Sequence, residues 1–135
     1  MITRMTHSNI FVLDQDKALE FYRDLLGFEV RADFNQNGFR WLTVGPASQP
    51  DFELVLMAAT TNRELSEASA RAIQELLQSG QMSIGIFETD DALRDYQEWS
   101  AKGVEFVMPP TEQYGRISGR LKDNSGNTFA LVQTK

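Results

Sequence analysis

From Met5 to Leu13 the chain alternates apolar and polar positions, with Ile10, Val12 and Phe11 divided between two faces, which is the period of a strand. The period then changes. Ala18, Phe21, Tyr22, Leu25 and Leu26 recur at helical spacing behind Asp14 and Asp16, either of which can cap a helix. Gly27 suits the left-handed position that ends one. Strand-like runs return at 28–35, 39–45 and 51–59, separated by the hairpin signal Asn37-Gly38 and by a looser turn from Gly45-Pro46 to Pro50-Asp51. The element order is β-α-β-β-β. Residues 61–80, rich in Ala, Glu, Leu and Gln, read as a helix with Leu65, Ala72, Ile73, Leu76 and Leu77 on one side and Gly80 at its end. A second β-α-β-β-β series follows. It has a strand at 82–89, then a helix capped by Asp90 or Asp91 that carries Ala92, Leu93, Tyr96 and Trp99, then a strand at 104–108. Pro109-Pro110 is expected to force a loop that exposes Tyr114-Gly115, and strands 117–122 and 128–133 then pair across the turn 123–127.

The two series also correspond residue by residue. Laying His7 on Ser83 brings Ile10 onto Ile86, Phe11 onto Phe87, Asp14 onto Asp90, Gly27 onto Gly103 and Glu29 onto Glu105. One further step of offset aligns Phe52-Glu53-Leu54-Val55 with Phe129-Ala130-Leu131-Val132. The expected organisation is a first module over 1–59, a linker helix within 60–80 (its body at 62–79) and a second module over 81–135, all in one structural domain. Modules of about 60 residues bury too little surface to be secure alone, so they are expected to pack together or onto another subunit.

Composition narrows the function. The chain is 41% hydrophobic and 24% charged, in the range of a soluble globular protein. A net charge of −6 leaves no basic excess for nucleic-acid phosphates or an anionic membrane surface, so neither is expected as a partner. With no cysteine, disulfides, thiolate metal sites and cysteine nucleophiles are excluded. No signal-peptide core or membrane-length apolar run is present, and a cytoplasmic protein is expected. Phosphate-cradling glycine loops, a nucleophile elbow and a second histidine for a Ser-His-Asp triad are also missing.

Two residues stand out against their strands. His7 is the only histidine, and Glu53 lies between Phe52 and Leu54 in an otherwise apolar run. A buried, unpaired carboxylate is costly, and a hydrogen bond between Glu53 and His7 would relieve that cost. Alternation puts Asn9 and Phe11 on the His7 face, Val55 and Met57 on the Glu53 face, and Gly85 and Phe87 with Ser83. Trp41 and Thr43 are assigned the inward face of their strand, because Leu42 and Val44 suit packing against the helix. The result is an aromatic-walled groove with few polar groups, the make-up of a small-ligand pocket. Arg40, Arg116 and Arg120 are candidates to pair with an anionic group. Arg40 is expected instead to pair with the surplus acids, and Arg116, beside Tyr114 in a proline-flanked loop, is the exception.

His7 on the first strand, the run from Phe21-Tyr22 to Leu26-Gly27-Phe28, and the ending Asp123 to Gly126-Asn127 before the last strand resemble the vicinal oxygen chelate superfamily. That superfamily includes glyoxalase I, bleomycin-resistance proteins, fosfomycin-resistance enzymes and extradiol dioxygenases. The resemblance implies an α+β fold of two tandem βαβββ modules forming curved mixed sheets around a cleft, usually in a homodimer. In the metal-dependent members each module supplies one ligand from its first strand and one from its last. Carried onto this chain those positions are His7, Glu53, Ser83 (or Ile84, if the register slips by one) and Ala130. One imidazole and one carboxylate do not complete the coordination of a divalent catalytic metal. The resemblance therefore implies a protein that binds a small, partly aromatic organic molecule in the cleft without a catalytic metal or other cofactor, His7 and Glu53 being vestigial ligand positions. The expected contacts are Asn9, Phe11, Trp41, Val55, Met57, Ser83, Phe87, Tyr114 and Arg116. One alternative is a glyoxalase-type lyase or isomerase, or a dioxygenase, using His7 and Glu53 catalytically with an atypical divalent metal. A second is a dimeric regulatory or interaction module with a vestigial cleft.

Overall fold

The structure, a computed structural model, describes residues 1–62 and 64–134. Among them eight strands form two open four-stranded mixed sheets, accompanied by three helices. The chain divides into two compact units, Met1–Gln74 and Glu75–Lys135. The division falls inside the expected linker helix, not at either end of it.

In the first unit β1 (His7–Val12) pairs in parallel with β4 (Glu53–Ala58). Strand β4 pairs antiparallel with β3 (Phe39–Gly45), and β3 with β2 (Glu29–Gln36), in the order β1-β4-β3-β2. A parallel pair needs a crossover, and it begins with helix α1 (Gln15–Leu19). Asp14 is its N-cap, accepting from the Lys17 amide at 3.0 Å. The helix widens into a π-helical stretch, Glu20–Leu25, before Gly27 turns the chain at φ 78°. Ala18, Phe21 and Tyr22 are buried, and so are Ile10, Val12, Leu42, Val44, Leu54 and Leu56 of the sheet. Leu25 and Leu26 are only half-buried, because the wider π turn rotates them away from the stripe that α-helical spacing predicts.

The hairpin between β2 and β3 turns on Asn37 and Gly38, both at positive φ (54° and 81°), as the Asn-Gly signal requires. It is tied down by charge. Arg40 donates to both oxygens of Asp33 at 2.9 Å and to Asp16 on α1 at 2.6 Å. These bonds hold the Asp33 carboxyl below, and the Arg40 guanidinium above, their ordinary values. The expected pairing of Arg40 with acids is thus realised. Arg31, at a bulge in β2, clamps the loop after β3 by donating to the carbonyls of Pro50 (2.9 Å) and Pro46 (2.7 Å).

Helix α2 (Glu67–Ser79) starts later than the expected residue 61. Asn62 instead folds its side-chain oxygen onto the amides of Glu64 (2.8 Å) and Leu65 (3.0 Å), and the Ser66 hydroxyl accepts from Ser69 at 3.1 Å as the helix begins. Arg63, within the expected helix, lies outside the described residues. The buried stripe is Ala70 and Leu77 with Ile73 and Gln74 half-buried between them, while Ala72 and Leu76 face outward.

The second unit repeats the order as β5-β8-β7-β6, with β5 (Met82–Glu88), α3 (Ala92–Ala101), β6 (Glu105–Gln113), β7 (Arg116–Lys122) and β8 (Asn127–Thr134). Asp91 caps α3, accepting from Arg94 at 3.0 Å. Its inward residues are Ala92, Asp95, Tyr96 and Trp99, and Leu93 is exposed, contrary to expectation. The buried Asp95 carboxylate is satisfied by the Thr89 hydroxyl. Pro109-Pro110 does not break β6. The prolines sit in an edge strand at a register irregularity, where missing amide donors are tolerated, and the turn comes later at Tyr114-Gly115. In β5 the register slips between Ser83 and Gly85, leaving Ile84 as an extra residue. Ser83 pairs with Thr128 and Gly85 with Phe129, so Gly85 and Phe87 lie on the face opposite Ser83, not beside it.

The turn before β8 is built on one carboxylate. Asp123 Oδ1 accepts the amides of Ser125, Gly126 and Asn127, each at 2.9 Å, and Oδ2 accepts from the Asn127 side chain at 2.9 Å. Gly126, at φ 110°, passes so close to α2 that a Cβ there would lie 1.8 Å from the Leu77 carbonyl oxygen. Asp123→Ala, which orphans these donors, is expected to cost about 3 kcal/mol in denaturant unfolding. A loss within experimental error would show that the turn does not depend on the carboxylate.

Asp33 gives a pH signature. Its folded-state pKa is lowered by Arg40, so its stabilisation is complete above the ordinary carboxylate range and is lost as pH falls through the folded value. Unfolding stability followed from pH 6 down to about pH 3 should decline less steeply in Asp33→Asn than in the parent. Equal slopes would contradict this.

Candidate functional site

The face of the first sheet turned away from α1 collects the residues singled out by alternation. Strand β1 contributes His7, Asn9 and Phe11. In-register parallel pairing sets them beside Glu53, Val55 and Met57 of β4. Thr43 lies opposite Val55, Trp41 opposite Phe34, and Phe39 opposite Gln36. Each of these side chains reaches this face because strand side chains alternate.

A hydrogen-bonded chain crosses the sheet. His7 Nε2 lies 3.2 Å from Glu53 Oε2, and the Thr43 hydroxyl donates to Glu53 Oε1 at 2.6 Å. The other ring nitrogen, His7 Nδ1, lies 2.7 Å from the Thr6 hydroxyl, so both ring nitrogens have a polar partner. The Trp41 ring stands 6.1 Å from the imidazole, tilted by 46°. Both carboxylate oxygens are engaged, while side-chain exposures of 39% for His7 and 30% for Glu53 leave the pair within reach of a small molecule.

Beyond this chain, towards the Asn37-Gly38 hairpin, opens a cavity of about 1000 Å³. Asn9, Trp41 and Met57, all expected contacts, line it together with Phe39, Gln36 and Gln15. Gln15, at the start of α1, fixes the rim by donating to the carbonyl of Leu56 at 2.8 Å. Phe11 and Val55 share the face but not the cavity wall. Gln36 and Phe39 were not among the expected contacts, although both follow from Trp41 by two-residue steps once Asn37-Gly38 is taken as a two-residue hairpin.

In the second unit Ser83, Arg120 and Thr128 meet. Arg120 Nη1 donates to the Ser83 hydroxyl at 3.2 Å and to the Thr128 hydroxyl at 3.4 Å. Phe87 stacks on Phe129, ring centres 4.2 Å apart, on the other face. Tyr114, 99% exposed, and the exposed Arg116 form the tip of the β6–β7 hairpin. A divalent metal does not fit the four positions carried over from the resemblance. The first unit offers one imidazole and one carboxylate, Ser83 already faces a guanidinium, and Ala130 has no donor atom. Among the described residues no group of three or more His, Cys, Asp or Glu side chains gathers to hold a metal ion.

The comparisons agree with this architecture. The chain is 36% identical to UcmS2, whose crystal structure superposes with a TM-score of 0.93 over 98% of each chain. It is 25% identical to TnmS3, an antibiotic binding protein from Streptomyces sp. CB03234, with a TM-score of 0.77 over 99% of this chain and 98% of that one. The Bacillus subtilis (strain 168) protein YurT is 33% identical over 93% of this chain and 95% of its own length. Residues 4–131 match a family model, and the chain belongs to the Glyoxalase/Bleomycin resistance protein/Dioxygenase superfamily.

Proposed function

We propose that this protein binds a small, partly aromatic organic molecule on the open face of its first sheet, and that it acts by holding the molecule, without a catalytic metal. The observation that carries this reading is the cavity beside Trp41, Phe39 and Met57, large enough for a drug-sized compound. The likeness to TnmS3, an antibiotic binding protein, supports it. The donor-poor positions Ser83 and Ala130 support the metal-free part. A cytoplasmic homodimer completes the reading, and light scattering on the purified protein tests the dimer.

A second reading rests on the chain Thr6–His7–Glu53–Thr43. A carboxylate oriented by a threonine and paired with an imidazole can abstract a proton next to a carbonyl. Glu53→Gln separates the two, since it abolishes turnover if Glu53 is a base and leaves affinity nearly unchanged if the protein only binds.

A thermal-shift screen of aromatic metabolites and antibiotics, followed by calorimetry, is expected to give a one-to-one ligand whose affinity falls about tenfold in Trp41→Ala. A screen in which no compound raises the melting temperature would sink the binding reading. Elemental analysis should find far less than one divalent ion per chain. Stoichiometric metal that disappears in His7→Ala would transfer the case to the enzyme.

A further inference from the structure

Resting on that reading, we infer that the ligand is an aromatic compound without an anionic group that bears a hydroxyl-rich substituent, a sugar or a polyol, which lies against a carboxamide wall beside the aromatic floor. Of the fifteen residues around the cavity six are Asn or Gln, and they include four of the six asparagines in the whole chain. Composition alone does not produce such a concentration at one concavity. A carboxamide presents one donor group and one acceptor side by side, the complement of a hydroxyl, which also donates and accepts.

Charge points the same way. The two charged lining residues are Arg40 and Glu64. Arg40 is committed to Asp33 and Asp16 through three hydrogen bonds and is outnumbered by their two carboxylates, so a ligand carboxylate or phosphate meets no free cation. Not every amide is available. Asn62 spends its oxygen on Glu64 and Leu65, and Gln15 its nitrogen on Leu56. Asn9 and Gln36 are exposed and share the face of Trp41 and Phe39, so a ring stacked on the aromatic pair can direct its substituent to them.

Three probes with one isoalloxazine ring system separate the contributions: lumiflavin (ring with a methyl group only), riboflavin (ring with a neutral polyol) and flavin mononucleotide (the same polyol ending in phosphate). Titrated into the full chain and followed by calorimetry and flavin fluorescence, riboflavin should bind about tenfold more tightly than either of the others. Asn9→Leu and Gln36→Leu, at exposed positions, should each weaken riboflavin by about fivefold and leave lumiflavin within about twofold. Circular dichroism and melting temperature confirm that each variant is folded. Equal affinity for lumiflavin and riboflavin, or equal or tighter binding of the phosphate, overturns the inference while leaving the aromatic site intact. Riboflavin binding unchanged in both variants overturns it as well, as does failure of all three probes when another aromatic compound binds. Failure of every aromatic compound removes the site reading itself.

Discussion

The ladder between the first and last strands of each unit is parallel, and a parallel pair cannot be closed by a tight turn. The chain must leave, cross over a helix and two further strands, and return in register. In the first unit that return is unbroken from His7 opposite Glu53 to Val12 opposite Ala58. The unbroken register sets an imidazole beside a carboxylate and lines up Asn9, Val55 and Met57 on one face. It also leaves Ile10, Val12, Leu54 and Leu56 buried on the opposite face, the side of α1. In the second unit the same ladder carries an extra residue at Ile84, and its first residues no longer share a face with those that follow. One ladder geometry thus yields a coherent open face in one unit and an interrupted one in the other.

Around the candidate site, polar groups are handled in two ways. Ionic ones are already engaged locally, as with Arg40 between Asp33 and Asp16, or Glu53 between His7 and Thr43. Neutral ones, chiefly carboxamides, stay open to solvent at the rim. Desolvating an amide on binding costs far less than desolvating a charge. A surface that has already spent its charges on itself can therefore exchange water for a neutral ligand with little penalty.

Much of this was legible in the sequence because the signals are local and physical. Alternation identified the strands, Asn37-Gly38 identified the first hairpin, and Gly27 and the acidic pairs Asp14/Asp16 and Asp90/Asp91 marked helix ends, though which member of each pair caps was left open. The pairing of His7 with Glu53 followed from the cost of leaving a carboxylate alone. What escaped depends on phase, and phase is set by contacts distant in sequence. Ile84 fits a regular strand as well as a bulge, so nothing in the residue itself announces the slip that moves Phe87 to the other face. Leu93 and Asp95 exchange roles because Thr89 supplies a hydroxyl to the buried carboxylate, an event no hydropathy pattern encodes. The delayed start of α2 turns on a choice between two polar side chains, Asn62 and Ser66, that can both fold back onto the backbone. The π-helical stretch after α1 likewise carries no composition of its own.

The prolines in β6 have a consequence for self-association. This strand is the outer member of its sheet, and its exposed Val107 and Met108 would make an adhesive border for another chain's strand. Pro109 and Pro110 leave two successive positions of this strand without an amide hydrogen, and the register on either side of them is irregular. An incoming strand finds too few donors there to zip along it. Fibre-like growth by strand addition is therefore disfavoured at this stretch of β6 by covalent structure rather than by charge, a protection that salt does not screen.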